Sequence, residues 1–396
     1  MAKKYIEDKT IFYSGLVYFL MMCIFIAVRI LNSFQVLGDP STDLNSYIFT
    51  LIVQIGIMLL LPLLFFKKLS NKSYSKLFND FGFKKVSLKS IVYALLLGVL
   101  AYILVLFITT FWSGLMQLLG YPNVSSSGSY NTDGNAWLSC LLGIFFIGVL
   151  PGFCEEFAHR GMILSSLRSN GVWRAILFTA LLFALMHLSF SKVGYAFVIG
   201  VLLGMVTVVS RSIFPAMIIH FTNNALSTYL GYSIANGWWG SDFLNSIFNY
   251  LESSNIFTTF LISFLIIALV LILIIMILAR LYNEGKRKQF AEFKKNMRVS
   301  LPNEEMRADF DKLSNEAVFK LFRETMALQT KQNLEKAKIN ETQLAEILST
   351  RSPLSLMIED SIVPEKKPNS LDYLFYYCSI FLGSVVTIIT FLWGVV

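Results

Sequence analysis

Residues 149–160 read VLPGFCEEFAHR. Two adjacent glutamates, a histidine and an arginine follow an uncharged run from Ala136 to Cys154. An ionised side chain in hydrocarbon costs roughly 2.5–3.5 kcal/mol on the insertion scale, so such a cluster needs either partners or a function. Glu156 and Arg160 are four residues apart and share a helix face, so each can neutralise the other. Glu155 lies about 100° round the helix from Glu156 and has no cation so placed. The unpaired carboxylate is the first candidate for chemistry.

Working outward, the chain of 396 residues is 55% hydrophobic and 15% charged, with a mean hydropathy of +0.62. A soluble domain carries about a quarter charged residues. The composition therefore predicts an all-α, polytopic transmembrane helical bundle. Apolar runs of spanning length fall at 11–31, 46–66, 91–113, from about 137 through the acidic motif, 172–191, 193–210, 213–231, 256–281 and 372–395. The first run has no small-residue cleavage site and is expected to stay as a span. A straight helix from 137 to 168 would be too long, which predicts a kink at Pro151-Gly152 or a turn past Gly161.

Seven lysines crowd 67–90 against the single acid Asp80, whereas 32–45, 120–135 and 232–255 hold no lysine or arginine. With nine alternating spans, the positive-inside rule then puts the N-terminus in the cytoplasm and the C-terminus outside. Lys192, between the fifth and sixth spans, is the exception. Much of the net charge of +8 is thus an orientation signal, and no nucleic-acid partner is expected. Trp137, Trp173, Trp238, Trp239 and Trp393 fall near the span ends, as an aromatic belt does. Cys23, Cys140, Cys154 and Cys378 lie in apolar segments with no metal-like or disulfide-like spacing, and read as inert core thiols.

Three sections follow: a transmembrane core over 1–281, a polar segment over 282–370 and a last span over 371–396. The polar segment has 16 Lys/Arg and 14 Asp/Glu. A weak apolar stripe at Phe310, Leu313, Phe322, Met326, Leu334, Ile339, Leu344 and Ile347 predicts a cytoplasmic helical hairpin. Three prolines in 350–370 mark a linker. The basic stretch Lys286–Lys295 suits anionic lipid, and the segment as a whole could dock a cytoplasmic partner.

All three histidines lie between residues 155 and 225. His187 ends FTALLFALMH with Phe183 one turn earlier, and His220 in PAMIIHFTNN has Asn224 one turn later. Glu155 lies 13 residues before Arg168, and His187 lies 13 after Arg174. Both stand roughly 20 Å from the turn between their spans at 1.5 Å per residue, and His220 about 13 Å in from Arg211. Three helices can thus meet in one polar chamber. Glu155 and His187 can hold a water and take its proton, while His220 and Asn224 can donate to an oxyanion. Glu156 and Arg160 then shape the site. The same atoms offer a second reading, with Glu155, His187 and His220 as a zinc set with an open position. That reading leaves only the arginine-paired Glu156 as base, so the metal-free version, with no cofactor, is favoured; the sequence leaves both open. His159, four residues after Glu155, reads as structural. Ala196, Gly200 and Gly204 form a small-residue packing face. A transport pathway is disfavoured, because the polar residues concentrate in the fourth, fifth and seventh spans.

EE-xxx-R at 155–160, F-xxx-H at 183–187 and H-xxx-N at 220–224 resemble the signatures of the CAAX-protease and bacteriocin-processing (Abi) family of intramembrane proteases. The resemblance covers about 75–235. It implies an eight-helix protease core, to which 282–370 and a ninth C-terminal span are additions. It implies that Glu155 and His187 activate water, that His220 and Asn224 are oxyanion donors, and that Glu156 and Arg160 shape the site. Members of this family are described as metalloproteases and as metal-free glutamate proteases. The substrate implied is a membrane-associated protein or peptide, through CAAX-type cleavage or bacteriocin and leader processing. A non-catalytic immunity or binding protein of the same fold is the other outcome. Abundant lysine and phenylalanine suggest a bacterial plasma membrane.

Overall fold

A segment in hydrocarbon must satisfy its own backbone N–H and C=O groups, which leaves helices as the form available to long apolar runs. The structure, a computed structural model, describes residues 10–40, 42–70, 72–118, 135–168, 171–321 and 369–393. Among these residues every regular element is helical. In order they are α1 (Thr10–Ser33), α2 (Asp43–Ser70), α3 (Tyr74–Asp80), α4 (Leu88–Leu118), α5 (Ala136–Leu167) and α6 (Val172–Met186). Then come α7 (Phe190–Ser210), α8 (Phe214–Asn236), α9 (Ser241–Ser253), α10 (Ile256–Ser300), α11 (Glu304–Lys312) and α12 (Leu374–Trp393). Side chains of Thr42, Asn135 and Asn255 accept from the first-turn amides of α2, α5 and α10, satisfying donors that the helix cannot.

Among the described residues seven helices are long and apolar enough to cross a bilayer: α1, α2, α4, α5, α7, α10 and the stretch Ser370–Leu392. The chain is an integral membrane protein. Two of the nine expected spans fall short of that standard. α6 has 15 residues, about 22 Å at 1.5 Å per residue. α8 has 23 residues but mixes His220, Thr222, Asn223, Asn224, Ser227 and Thr228 into its apolar positions. These two helices carry the histidine motifs, so the groups that make a site also make a weak span.

No turn interrupts α5 between Gly161 and Leu167. The helix runs from Ala136 to Leu167 and widens into π-helical turns at Ile144–Val149 and Phe157–Leu164. Pro151 explains the first. It has no N–H to offer Ile147 O four residues back, and Asn224 Nδ2 donates to that carbonyl at 2.9 Å instead. A neighbouring helix thus repairs the backbone where proline interrupts it.

Two further differences concern the loops. The stretch 232–255, expected to be loop, holds α9, with Trp239, Phe243 and Tyr250 exposed. At 13 residues it is too short to span, and it suits the bilayer interface. The composition change at 281/282 is no chain break either: α10 continues to Ser300 as one helix of 45 residues. Beyond it, Arg298 pairs with Asp311 at 2.9 Å and Phe290 meets Phe319 edge-on, so 304–321 folds back on the α10 extension. The expected apolar positions from Phe322 to Ile347 and the proline linker lie outside the described residues. All four cysteines are free.

Close helix approach positions the site. A Cβ on Gly200 of α7 would stand 2.9 Å from Ala180 Cα on α6, and one on Gly152 of α5 would stand 3.2 Å from Phe221 N on α8. α12 packs on α1 through a buried hydroxyl cluster in which Tyr376 donates to Ser14 at 2.7 Å and Ser14 to Ser166 at 2.8 Å. It also holds the α6–α7 turn, where Thr390 donates to Leu188 O at 3.1 Å. The Gly200 contact is with backbone, which cannot swing aside. Gly200→Val is therefore expected to cost about 1–3 kcal/mol of overpacking, read as a lower thermal midpoint of the detergent-purified protein. An unchanged midpoint would mean that α6 and α7 are not held this closely.

Candidate active site

Glu155 and Glu156 leave α5 side by side and meet different surroundings. Glu156 is fully buried and its Oε1 accepts from Arg160 Nη1 and from His220 Nδ1, each at 2.8 Å. Arg160 gives its other terminal nitrogen to Gly200 O at 3.0 Å, the carbonyl brought near by the small-residue face of α7. Its guanidinium carbon sits 4.7 Å from the centre of the Phe183 ring, a cation–π contact shielded from solvent. Glu156 and Arg160 therefore tie α5, α7 and α8 together in one charge-assisted network.

Glu155 keeps 16% of its side-chain surface. Its Oε1 accepts from Gln54 Nε2 of α2 at 2.8 Å, and its Oε2 lies 3.9 Å from His220 Nε2. No lysine or arginine pairs with it among the described residues. Gln54 is absent from the expected site, yet it carried a signal: it is the one polar side chain in the run Leu51–Phe66, and a polar group at membrane depth is a functional candidate by default.

His187 caps the C-terminus of α6 in a turn where Leu188 has φ +49°. His187 Nδ1 bonds Phe183 O at 3.0 Å. A carbonyl can only accept, so Nδ1 carries a proton, and in the neutral ring Nε2 is the lone pair. Arg29 of α1 donates to His187 O at 3.2 Å, occupying one of the carbonyls that a helix end leaves open. A cavity of about 430 Å³ has Glu155, Gln54 and His187 in its wall, with Phe183 and Met186 beside them. Among the described residues that line it, neither His220 nor Asn224 appears.

Phe183 is the centre of the arrangement. Its ring meets His159 at 5.1 Å, His187 at 5.2 Å and His220 at 5.8 Å, all edge to face. It separates the Arg160 network from the cavity. His159 is fully buried, with Nδ1 on Glu155 O at 2.9 Å. Asn224 accepts from Asn223 Nδ2 at 2.9 Å and spends one amide hydrogen on Ile147 O, leaving one N–H over. Arg29 and Gln54 bring polar groups from α1 and α2, so polar lining is not confined to the fourth, fifth and seventh spans as expected.

The zinc alternative needs Glu155, His187 and His220 to converge on one point. Among the described residues no group of three or more histidine, cysteine, aspartate or glutamate side chains is arranged to hold a metal ion. His220 has Nδ1 on Glu156, which leaves Nε2, 3.9 Å from Glu155 Oε2, as its one nitrogen for a metal.

No curated protein sequence and no solved structure matches the chain. A family model does: residues 136–226 match that of the Rce1-like type II CAAX prenyl endopeptidases. The match is narrower than 75–235, but it opens with α5 and closes two residues past Asn224, so all three motifs fall inside it. Residues 136–226 are thus similar to the Rce1-like type II CAAX prenyl endopeptidase family.

Proposed function

We propose that the protein is an intramembrane endopeptidase that hydrolyses a peptide bond of a membrane-associated protein or peptide by means of a water activated by Glu155 and His187, without metal. The observation that carries this reading is Glu155 itself. It is a carboxylate in a membrane helix, with no lysine or arginine partner among the described residues, in the wall of the same cavity as His187.

The water oxygen attacks the carbonyl carbon as Glu155 takes its proton, and the lone pair of His187 Nε2 holds the water in line. The carbonyl oxygen becomes an oxyanion, for which His220 and the spare N–H of Asn224 are the donors in this reading. His220 can donate from Nε2 only when both ring nitrogens carry hydrogen, since Nδ1 is bonded to Glu156. The C–N bond then breaks, Glu155 returns its proton to the leaving amine, and acid and amine products depart. Gln54 steadies the base. Its bond to Glu155 is to a charged acceptor, and losing such a bond costs about 1.5–3 kcal/mol. Gln54→Leu is expected to lower kcat/KM by roughly ten- to a hundredfold, with an unchanged melting curve.

A CAAX-type carboxyl-terminal segment or a bacteriocin or leader peptide is the substrate class this reading favours. A bacterial plasma membrane, with the lysine-rich 67–90 stretch on the cytoplasmic side, is the setting. The deciding test is peptidase activity in proteoliposomes with and without chelator, beside a metal analysis of the purified protein. Activity unaffected by chelator and zinc far below one per chain are the expected results. Zinc at unit stoichiometry, lost together with activity, would overturn the metal-free assignment.

A further inference from the structure

Two cations in the cavity wall have no part in the reaction outlined above. Lys192 is the lysine that departs from the positive-inside pattern, and Arg29 lies four residues before the end of α1, at the same end of the bundle. Both line the cavity that holds Glu155 and His187. Among the described residues neither has a carboxylate at ion-pair distance. Arg29 gives one N–H to His187 O, a neutral acceptor that leaves its charge uncompensated. Unpaired cations within membrane helices are costly and mark binding sites more often than packing. Phe25, Phe49 and Met58 give the same cavity apolar lining. Such a cavity suits a ligand with an apolar body and one negative group.

Resting on the endopeptidase reading, we propose that Arg29 and Lys192 form a carboxylate subsite that holds an anionic group of the peptide being cleaved. A guanidinium has five N–H donors in a planar fork that matches a carboxylate, and four remain after the bond to His187 O. Lys192 adds a second, movable charge. Arg29 touches the backbone of His187 itself. At about 3.3–3.6 Å per extended residue, a carboxylate held there sits within a few residues of the reacting bond. A terminal carboxylate or an aspartate or glutamate side chain supplies the same chemistry. The pair thereby sets which bonds in a chain come to Glu155.

Affinity selection tests this without asking for turnover. Full-length protein bearing Glu155→Gln is immobilised in nanodiscs of neutral lipid and exposed to an octapeptide library with apolar flanks. The library is made as free acids, as C-terminal amides, and as amides with one internal aspartate, glutamate or lysine. Retained peptides are read by mass spectrometry. Free acids or acid-bearing amides are expected to be enriched about ten- to a hundredfold over neutral amides, the size of a charge-assisted pair. Enrichment of the free acids alone identifies the terminal carboxylate as the group bound, and enrichment of both identifies either. Lys192→Gln is expected to remove most of the enrichment, and Lys192→Glu to reverse it in favour of lysine-bearing amides. That reversal would not follow from a fold defect. Equal retention of charged and neutral peptides overturns the subsite while leaving the endopeptidase reading intact. So does acid selectivity that vanishes when phosphatidylglycerol is added at low mole fraction, because the cations would then belong to lipid. Enrichment of acids by a protein whose wild-type form cleaves none of them supports the subsite and overturns the endopeptidase instead.

Discussion

Glu155→Gln is expected to lower peptide cleavage by about a thousandfold or more, at the upper part of the range for removing a general base, with no change in membrane insertion or melting behaviour. The reason is geometric. A glutamine at 155 keeps the shape, and its amide oxygen can still accept from Gln54 Nε2, now 2.8 Å from Glu155 Oε1. Only the capacity to take a proton is gone. The contrast with Glu156 is part of the expectation, since that carboxylate is fully buried and bound to Arg160 and His220, so its loss acts on folding as well. The measurement is kcat/KM in proteoliposomes, with thermal unfolding in detergent as the control. Residual activity within tenfold of the wild type would remove Glu155 as the base. Biological activity that persists in Glu155→Gln would favour the non-catalytic immunity or binding role.

Much of this site could be read from the chain before any coordinates, and the parts that could not share a cause. The adjacent glutamates, the i,i+4 arginine and the helical spacing of both histidine motifs are local in sequence. The periodicity of one helix announces them, and the Glu156–Arg160 contact that the spacing predicts is present at 2.8 Å. Gln54, Arg29 and the hub role of Phe183 are products of tertiary packing. Gln54 lies 101 residues from the carboxylate that it touches, and no pattern within α2 could say which helix it faces. Asn224 illustrates the same limit from the other side. Its motif marked it, but its bond to Ile147 O depends on Pro151 having vacated a carbonyl on another helix. α9 went unnoticed for a simpler reason. A short interfacial helix leaves exposed aromatics beside polar residues, which in sequence resembles a loop. Buttressing of the His187 turn by α12, through Thr390 and Leu188 O, is likewise invisible to motif reading because it joins two helices about 200 residues apart in the chain.

Arg160→Ala is expected to be the most destabilising single change in the molecule, by about 3–5 kcal/mol, the usual result of stranding one member of a buried ion pair. Three contacts vanish at once: the bond to Glu156 at 2.8 Å, the bond to Gly200 O at 3.0 Å and the cation–π contact with Phe183. Glu156 would be left in a dry interior with only His220 Nδ1 to answer it. Thermal unfolding in detergent reads the loss of stability, and loss of cleavage should accompany it. The double change Glu156→Gln with Arg160→Met separates folding from chemistry. A neutral pair of similar volume removes the stranded charge and often restores stability, while the glutamine oxygen can still accept from His220 Nδ1 and hold the ring beside Glu155. If the pair is scaffolding, the double variant should regain most of the melting temperature and bring cleavage back to within about tenfold of the wild type. A double variant that folds well yet stays as inactive as Glu155→Gln would assign the buried charges a direct part in stabilising the transition state.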